Sequence, residues 1–432
     1  MICVGAALDP REQYARGKPM VGRGDMPAYL VIGGGLAGAK TAEALRARGV
    51  DGPVILLCEE QRLPYERPPL SKDYLAGNGT PDDFTVHTGQ WYDEHDVDVQ
   101  LGVRADAVNT GSHEVVLADG SVLGYDKLVL ATGSRPRRLH VPGTDARGVH
   151  FLRRVADTDR LRSSWDSASA VVVIGGGWIG LEAAAVARGR GLPVTVVEAA
   201  SAPLLGPLGP RMASVFAELH RDHGVDLRTD ATVEEIITDD GAVTGVRLGD
   251  GEVSADCVLV AVGARPETLL AERAGLDVED GVLVDAHLTT SDPDVLAVGD
   301  IANVQHPVLG TRVRVEHWAT ALNQPAVAAA NALGDRTEYT DLPFFFSDQY
   351  DLGMEYRGHV PPGAAYEVVV RGAERAREFV AFWQDSTSRV LAGMNVNVWD
   401  AGEAVERLIR SGKPVPAETL ADPEVDLDGL AG

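Results

Sequence analysis

Val31–Lys40 reads VIGGGLAGAK and Val173–Glu182 reads VIGGGWIGLE, so one chain carries the same glycine-rich turn twice. Each copy follows a short apolar run, AYLVIGGG in the first and AVVVIGGG in the second. Each continues into a small-residue-rich segment of helical character, LAGAKTAEALRARG or WIGLEAAAVARGRG. The glycines fall at Gly33, Gly35 and Gly38, and again at Gly175, Gly177 and Gly180. In a strand–turn–helix cradle the first glycine permits the tight turn and the second lets the backbone approach a pyrophosphate. The third lets the helix pack close to the strand, with its N-terminal amides facing the phosphates. Gly49 and Gly191 are placed to end the two helices, and Pro193 forbids continuation of the second.

Each helix gives way to another apolar strand that ends in an acid. VILLCEE offers Glu59 or Glu60, and VTVVE offers Glu198. A carboxylate there accepts hydrogen bonds from adenosine ribose hydroxyls. One glycine pattern is weak evidence, but strand, three glycines, helix, strand and acid in order, twice, is strong. Two cradles imply two dinucleotides. YDKLVLATGSRP (Tyr125–Pro136) follows the first unit and DCVLVAVGARP (Asp256–Pro266) the second; both are buried-strand patterns suited to crossings between domains. DVLAVGDIANV then puts Asp300 at the end of another apolar strand. A return to the first domain there makes the second nucleotide unit an insertion. The expected fold is α/β, with two Rossmann-like domains.

The 432 residues allow two to four domains, and 45% hydrophobic with 24% charged residues is ordinary globular composition. A net charge of -25 argues against binding nucleic acid or an anionic membrane. The longest apolar stretch, AVVVIGGGWIGLEAAAVARG, is broken by glycines, Glu182 and Arg188, so no membrane span is expected. Cys3, Cys58 and Cys257 are sparse and odd in number, which suits a reducing compartment; no Cys/His cluster has metal-ligand spacing, and no metal is expected. Residues 1–25 lack the apolar core of a secretory signal and read as a loose extension, or as an upstream start ahead of Met26. A cytoplasmic location is the default expectation.

PYERPPLSK (Pro64–Lys72), ATGSRPR, GGGWIGLE, VGARP, AVGD, VEHW and FFFSDQYDLG complete the pattern. From about Tyr29 almost to the C-terminus the chain resembles the FAD-containing, NADH-dependent ferredoxin reductases that serve oxygenases and cytochromes P450. Rubredoxin reductases and bacterial relatives of apoptosis-inducing factor belong to the same wider group. The resemblance implies an FAD domain over 26–149 and 264–338, an inserted NADH domain over 150–263, and a C-terminal α+β domain over 339–432 covering the flavin edge. It assigns Gly33, Gly35, Ala37 and Gly38 to the FAD phosphates and Glu59 to the ribose. It places Lys72 beside the isoalloxazine, Ala105 and Arg153 among the FAD contacts, Asp300 near the ribityl or pyrophosphate, and Trp318 at the pyrimidine end. On the NADH side Gly175, Gly177 and Gly180 take the pyrophosphate, Glu198 the ribose, and Glu182 lies near the nicotinamide.

Lys72 and Glu182 are thereby the catalytic candidates. A flavin that accepts a hydride gathers negative charge, which a fixed ammonium stabilises, and Glu182 could pair with and orient that ammonium. In PPLSKDYL the prolines fix the loop, Ser71 can cap a short helix, and Lys72 stands in its first turn. Glu182 also has an ordinary explanation, an acid in a first helical turn favoured by the dipole. Pro325, inside WATALNQPAVAAANALG, should kink that helix. Glu198 would repel a 2′-phosphate and VTVVEAASAPL supplies no arginine to bind one, so NADH is expected over NADPH.

Disulfide reductases of similar architecture need a redox-active cysteine at the flavin, and none of the three cysteines is placed for it. Two outlets for the electrons stay open. One is single-electron transfer to a [2Fe–2S] ferredoxin, with SDQY (Ser347–Tyr350) resembling the reductases. The other is an NADH sensor like apoptosis-inducing factor, with slow reoxidation and redox-controlled partner binding, which GMEYRG (Gly353–Gly358) faintly resembles. Arg135, Arg137, Arg138, Arg312 and Arg314 could form a ferredoxin-docking patch. A monomer or weak homodimer is expected.

Overall fold

A computed structural model describes residues 27–431; the expectation for residues 1–25, and Cys3 with it, lies outside these residues. They group into two compact units. The first takes the chain up to Glu66, Asp82–Ser134 and Pro266–Asp341; the second takes Arg67–Pro81, Arg135–Arg265 and from Leu342 onward. The chain thus leaves the first unit and returns to it, as the position of Asp300 led us to expect.

The first unit is built on a five-stranded parallel sheet in the order Val295–Ala297, Lys127–Leu130, Tyr29–Ile32, Val54–Cys58, Val97–Leu101. The central YLVI and its neighbour VILLC are buried throughout. Continuous apolar strands of this kind belong to a sheet covered on both faces. The helix Leu36–Ala47 packs against the helix Trp318–Ala332 in this unit. Trp318–Ala332 is one helix that runs through the buried Pro325. A proline removes one N–H from the ladder; here the Gln324 side chain adds a tie beside that gap, accepting the Gly299 N–H at 2.7 Å.

The second unit repeats the plan. Its parallel sheet runs Asp226–Arg228, Val194–Val197, Val171–Ile174, Cys257–Val260, Val149–His150. Even the register repeats: Val171 pairs with Val194 and Cys257, as Tyr29 pairs with Val54 and Lys127. The stretch from Leu342 onward forms a second, antiparallel sheet ordered Phe344–Gln349, Leu352–Gly358, Val390–Val396, Glu378–Gln384, Glu367–Ala373. One apolar core joins the two sheets, with Val171, Leu181 and Phe216 sharing it with Phe379, Trp383 and Met394. The helical stretch Leu205–Asp222 lies in that core and breaks at Gly209, where φ is +73° and Pro210 restarts the helix.

Gly49 and Gly191 sit just beyond the two cradle helices with φ of +76° and +82°, the left-handed ending expected of them. Among the described residues no helix is long and apolar enough to cross a membrane.

Candidate functional site

In both cradles the glycines do the same three jobs. A Cβ at Gly33 would lie 2.1 Å from the Ala131 carbonyl oxygen, and one at Gly175 would lie 2.4 Å from that of Ala261. A Cβ at Gly38 would meet the Gly33 oxygen at 1.9 Å, and one at Gly180 the Gly175 oxygen at 2.2 Å. These four positions exclude any side chain because the chain itself fills the space. Gly35 and Gly177 differ: a Cβ there would find nothing within 4 Å. They are the N-caps of their helices, and neither helix has a side-chain cap or an acid in its first turn. Open space in front of uncapped amides is what a pyrophosphate requires, so both cradles fit the dinucleotides that the sequence implies.

Asp300 is brought to the first cradle. Its turn begins at Gly299, where a Cβ would come within 3.1 Å of the Ala37 Cβ, and Ser134 Oγ donates to Asp300 Oδ2 at 2.6 Å. Glu59 follows the buried strand Val54–Cys58 and is exposed, whereas Glu60 accepts the Tyr65 hydroxyl at 2.8 Å. Ala105 opens the strand Ala105–Asn109, two residues after Val103 bonds its N–H to the Cys58 carbonyl. Trp318 begins the helix that Gln324 ties to Gly299. In the second cradle Glu198 is half-buried, accepting the Gly176 N–H at 2.6 Å and the Ala200 N–H at 2.7 Å. A carboxylate offers about four lone-pair sites, so these two bonds fix its place and leave acceptor capacity.

The catalytic candidates meet in the second unit. Lys72 Nζ lies 2.8 Å from Glu182 Oε1, their side chains 16% and 5% exposed. Ser71 Oγ donates to Glu182 Oε2 at 2.5 Å, and Ser347 Oγ donates to Oε1 at 2.7 Å. Three donors therefore converge on one buried carboxylate, the arrangement that makes burying a charge tolerable. Two expectations change. Ser71 caps no helix, because its hydroxyl serves Glu182 and the cap of Asp73–Ala76 is Lys72. Glu182 is the fifth residue of Trp178–Gly189, beyond the first turn, so the helix dipole does not explain it. Lys72 Nζ also stands 5.4 Å from the Phe346 ring centre. Burial raises the Asp348 carboxyl above its ordinary range, Glu182 and Asp73 adding to the effect and Lys72 opposing it.

Arg153 also lies in the second unit, where its carbonyl accepts from Arg67 Nη1. The arginines proposed for docking are partly engaged. Arg312 donates to the carbonyls of Val284 and Asn303, and Arg314, 11% exposed, is paired with Asp280 and Glu316. Cys58 and Cys257 are free and fully buried, and burial pushes both thiols up, Cys257 to about 12. Neither is a reactive thiolate.

Ser347 and Gln349 entered the sequence reading only within the reductase-like SDQY stretch, with no contact assigned to either, and His220 did not enter it. The signal was present: two polar residues alternate on one buried face of Phe344–Gln349, and His220 interrupts the apolar stripe of Met212, Val215, Phe216 and Leu219. What they serve could not be read from that pattern.

Residues 27–325 match the family described as pyridine nucleotide-disulphide oxidoreductase, and residues 344–431 match a reductase C-terminal domain. The chain is 40% identical over 400 residues to the ferredoxin–NAD(+) reductase component of an anthranilate 1,2-dioxygenase system from Burkholderia cepacia, covering 92% of this chain and 98% of that protein. Among solved structures it is similar to the ferredoxin reductase for the CYP199A2 system of Rhodopseudomonas palustris, with a TM-score of 0.90, 34% identity and coverage of 94% and 100%. It is also similar to a covalent putidaredoxin reductase–putidaredoxin complex, with a TM-score of 0.88, 34% identity and coverage of 94% and 98%.

Proposed function

The chain belongs to the pyridine nucleotide-disulphide oxidoreductase family, among its ferredoxin–NAD(+) reductases, and from that premise we propose that it moves electrons from NADH through FAD to a [2Fe–2S] ferredoxin serving an oxygenase or cytochrome P450. The observation that carries this reading is the pair of open cradles, each ending at an uncapped helix, combined with the absence of a usable thiol at Cys58 or Cys257. FAD supplies hydride acceptance and single-electron release when bound. Everything else falls to the residues of the chain.

The first cradle, with Gly33, Gly35, Ala37, Gly38, Glu59, Ala105, Asp300 and Trp318, holds FAD in this reading, with Lys72 and Arg153 as further contacts. The second, with Gly175, Gly177, Gly180 and Glu198, holds NADH. Glu198 is locked by Gly176 and Ala200, so it cannot swing away from a 2′-phosphate, and NADH is preferred over NADPH. Lys72 supplies a positive charge where the nicotinamide gives up its hydride, and Glu182, held by Ser71 and Ser347, fixes the direction of that ammonium. Buried charges held this way need not reorganise when charge moves, which is how preorganised groups accelerate transfer. The nucleotide assignment follows domain limits near 26–149 with 264–338 and 150–263, with 339–432 as the third part. The protein works in the cytoplasm, as a monomer or a weak homodimer.

The decisive experiment is NADH-driven reduction of cytochrome c with and without an added [2Fe–2S] ferredoxin. Turnover should depend strongly on the ferredoxin. No stimulation by several ferredoxins, together with a flavin that stays reduced in air, would replace this reading with the sensor.

A further inference from the structure

Behind Glu182 a chain of buried polar groups runs through the second unit. Ser347 Oγ, which donates to Glu182, accepts from Gln349 Nε2 at 3.1 Å; Gln349 Oε1 faces His220 Nε2 at 2.9 Å; His220 Nδ1 faces the Tyr350 hydroxyl at 3.4 Å. Ser347, Gln349 and His220 are 0%, 1% and 0% exposed. Tyr350 is stacked on His223 with ring centres 3.7 Å apart. Unbound polar groups in such a place would be costly, and here each has a partner.

The direction of every bond follows from Glu182. A carboxylate paired with Lys72 can only accept, so Ser347 must donate its single hydroxyl proton to it. Ser347 then has only lone pairs for Gln349, which must present its NH2 there. The carbonyl of Gln349 is thereby turned to His220, which must carry its proton on Nε2 and leave Nδ1 to accept from Tyr350. A flipped Gln349 amide would make Ser347 donate backwards and strip Glu182 of one donor. We propose that His220 and Gln349 are positioning residues that hold the Ser347 hydroxyl on Glu182 and so keep Glu182 locked onto Lys72. Burial favours the neutral imidazole that this requires. The titratable and charged groups around the relay are Lys72, Glu182, Asp73 and Asp348 at one end, with His223 and Arg188 at the other.

The proposal rests on Lys72 and Glu182 serving the NADH reaction, and its test separates the two ideas. The readout is acylation of Lys72 by an amine-reactive ester, measured by mass spectrometry on the FAD-loaded protein, with Lys127 as internal reference. Both Q349L and H220L should raise the Lys72 to Lys127 labelling ratio on the order of fivefold, because an ammonium less firmly held is more often free to react. H220Q, whose amide N–H can replace Nε2–H toward Gln349, should stay near wild type. An unchanged ratio in Q349L and H220L overturns the relay, and so does an H220Q ratio as high as that of H220L, which would mean packing alone. Should Q349L fail to fold, the comparison of H220L with H220Q decides the matter. Labelling that changes as expected while the rate of NADH-driven flavin reduction stays fixed would support the relay and refute the catalytic role of the pair.

Discussion

Single residues in the cradles separate what the fold needs from what the ligand needs. Gly35→Ala adds a methyl group where nothing lies within 4 Å and φ is -98°, so the protein should fold with unchanged melting temperature. That methyl group occupies the space reserved for a pyrophosphate, and FAD affinity should fall on the order of a hundredfold, measured by fluorescence titration of the FAD-free protein. Gly38→Ala should instead destabilise the fold itself, because its Cβ meets the Gly33 oxygen at 1.9 Å. Equal effects from both substitutions would show that Gly35 is only structural. His220 supplies the pH counterpart. Burial lowers its imidazole from 6.5 to about 4 in the folded protein, the Gln349 bond opposing and His223 adding to the effect. Between those values the unfolded chain takes up a proton that the folded chain refuses, so stability is full above 6.5 and is lost as pH falls towards 4. Wild type should lose on the order of 2–3 kcal/mol more than H220Q across this window in urea melts. Parallel pH profiles for the two proteins would show that His220 does not titrate as described.

Among the elements, the helix Trp318–Ala332 tests how secondary structure holds a site. Gln324 ties it to the Gly299 N–H at the start of the Asp300 turn, and both groups are buried. Gln324→Ala leaves that N–H without its partner, which costs about 1–3 kcal/mol. The turn that carries Asp300 should loosen, and FAD should dissociate faster as well as the melting temperature falling. A lower melting temperature with unchanged FAD release would mean that the other bonds of the turn, Ser134 to Asp300 Oδ2 and Arg314 to the Asp300 carbonyl among them, hold it without Gln324. The helix continues through the buried Pro325, because tertiary packing of a buried segment outweighs one missing hydrogen bond.

For the whole molecule, the net charge of -25 decides how a partner approaches. A ferredoxin of acidic character meets a like-charged protein, and Arg312 and Arg314 are engaged with carbonyl and carboxylate groups of their own unit. Raising ionic strength from about 10 to 100 mM shortens the reach of that repulsion from about 30 to 10 Å. Ferredoxin-dependent turnover should therefore stay level or rise up to about twofold over this range. A steep fall would locate a local basic patch strong enough to overcome the total charge. Much of the design was legible from residues alone: the two cradles, the return of the chain to its first unit, both helix-ending glycines and the unsuitability of Cys58 and Cys257. These are local facts, since a glycine demanded by a turn or an apolar strand demanded by a covered sheet leaves its mark within a few positions. The pairing of Lys72 with Glu182 could be anticipated, but the roles of Ser71, Ser347, Gln349 and His220 stayed hidden. Their relation spans four segments of chain, and only tertiary packing sets which hydroxyl, amide or imidazole faces a given carboxylate. The sequence by itself determined the two nucleotide cradles; the folded structure alone decided how one buried carboxylate is held, because a hydrogen bond depends on distance in space and not on position along the chain.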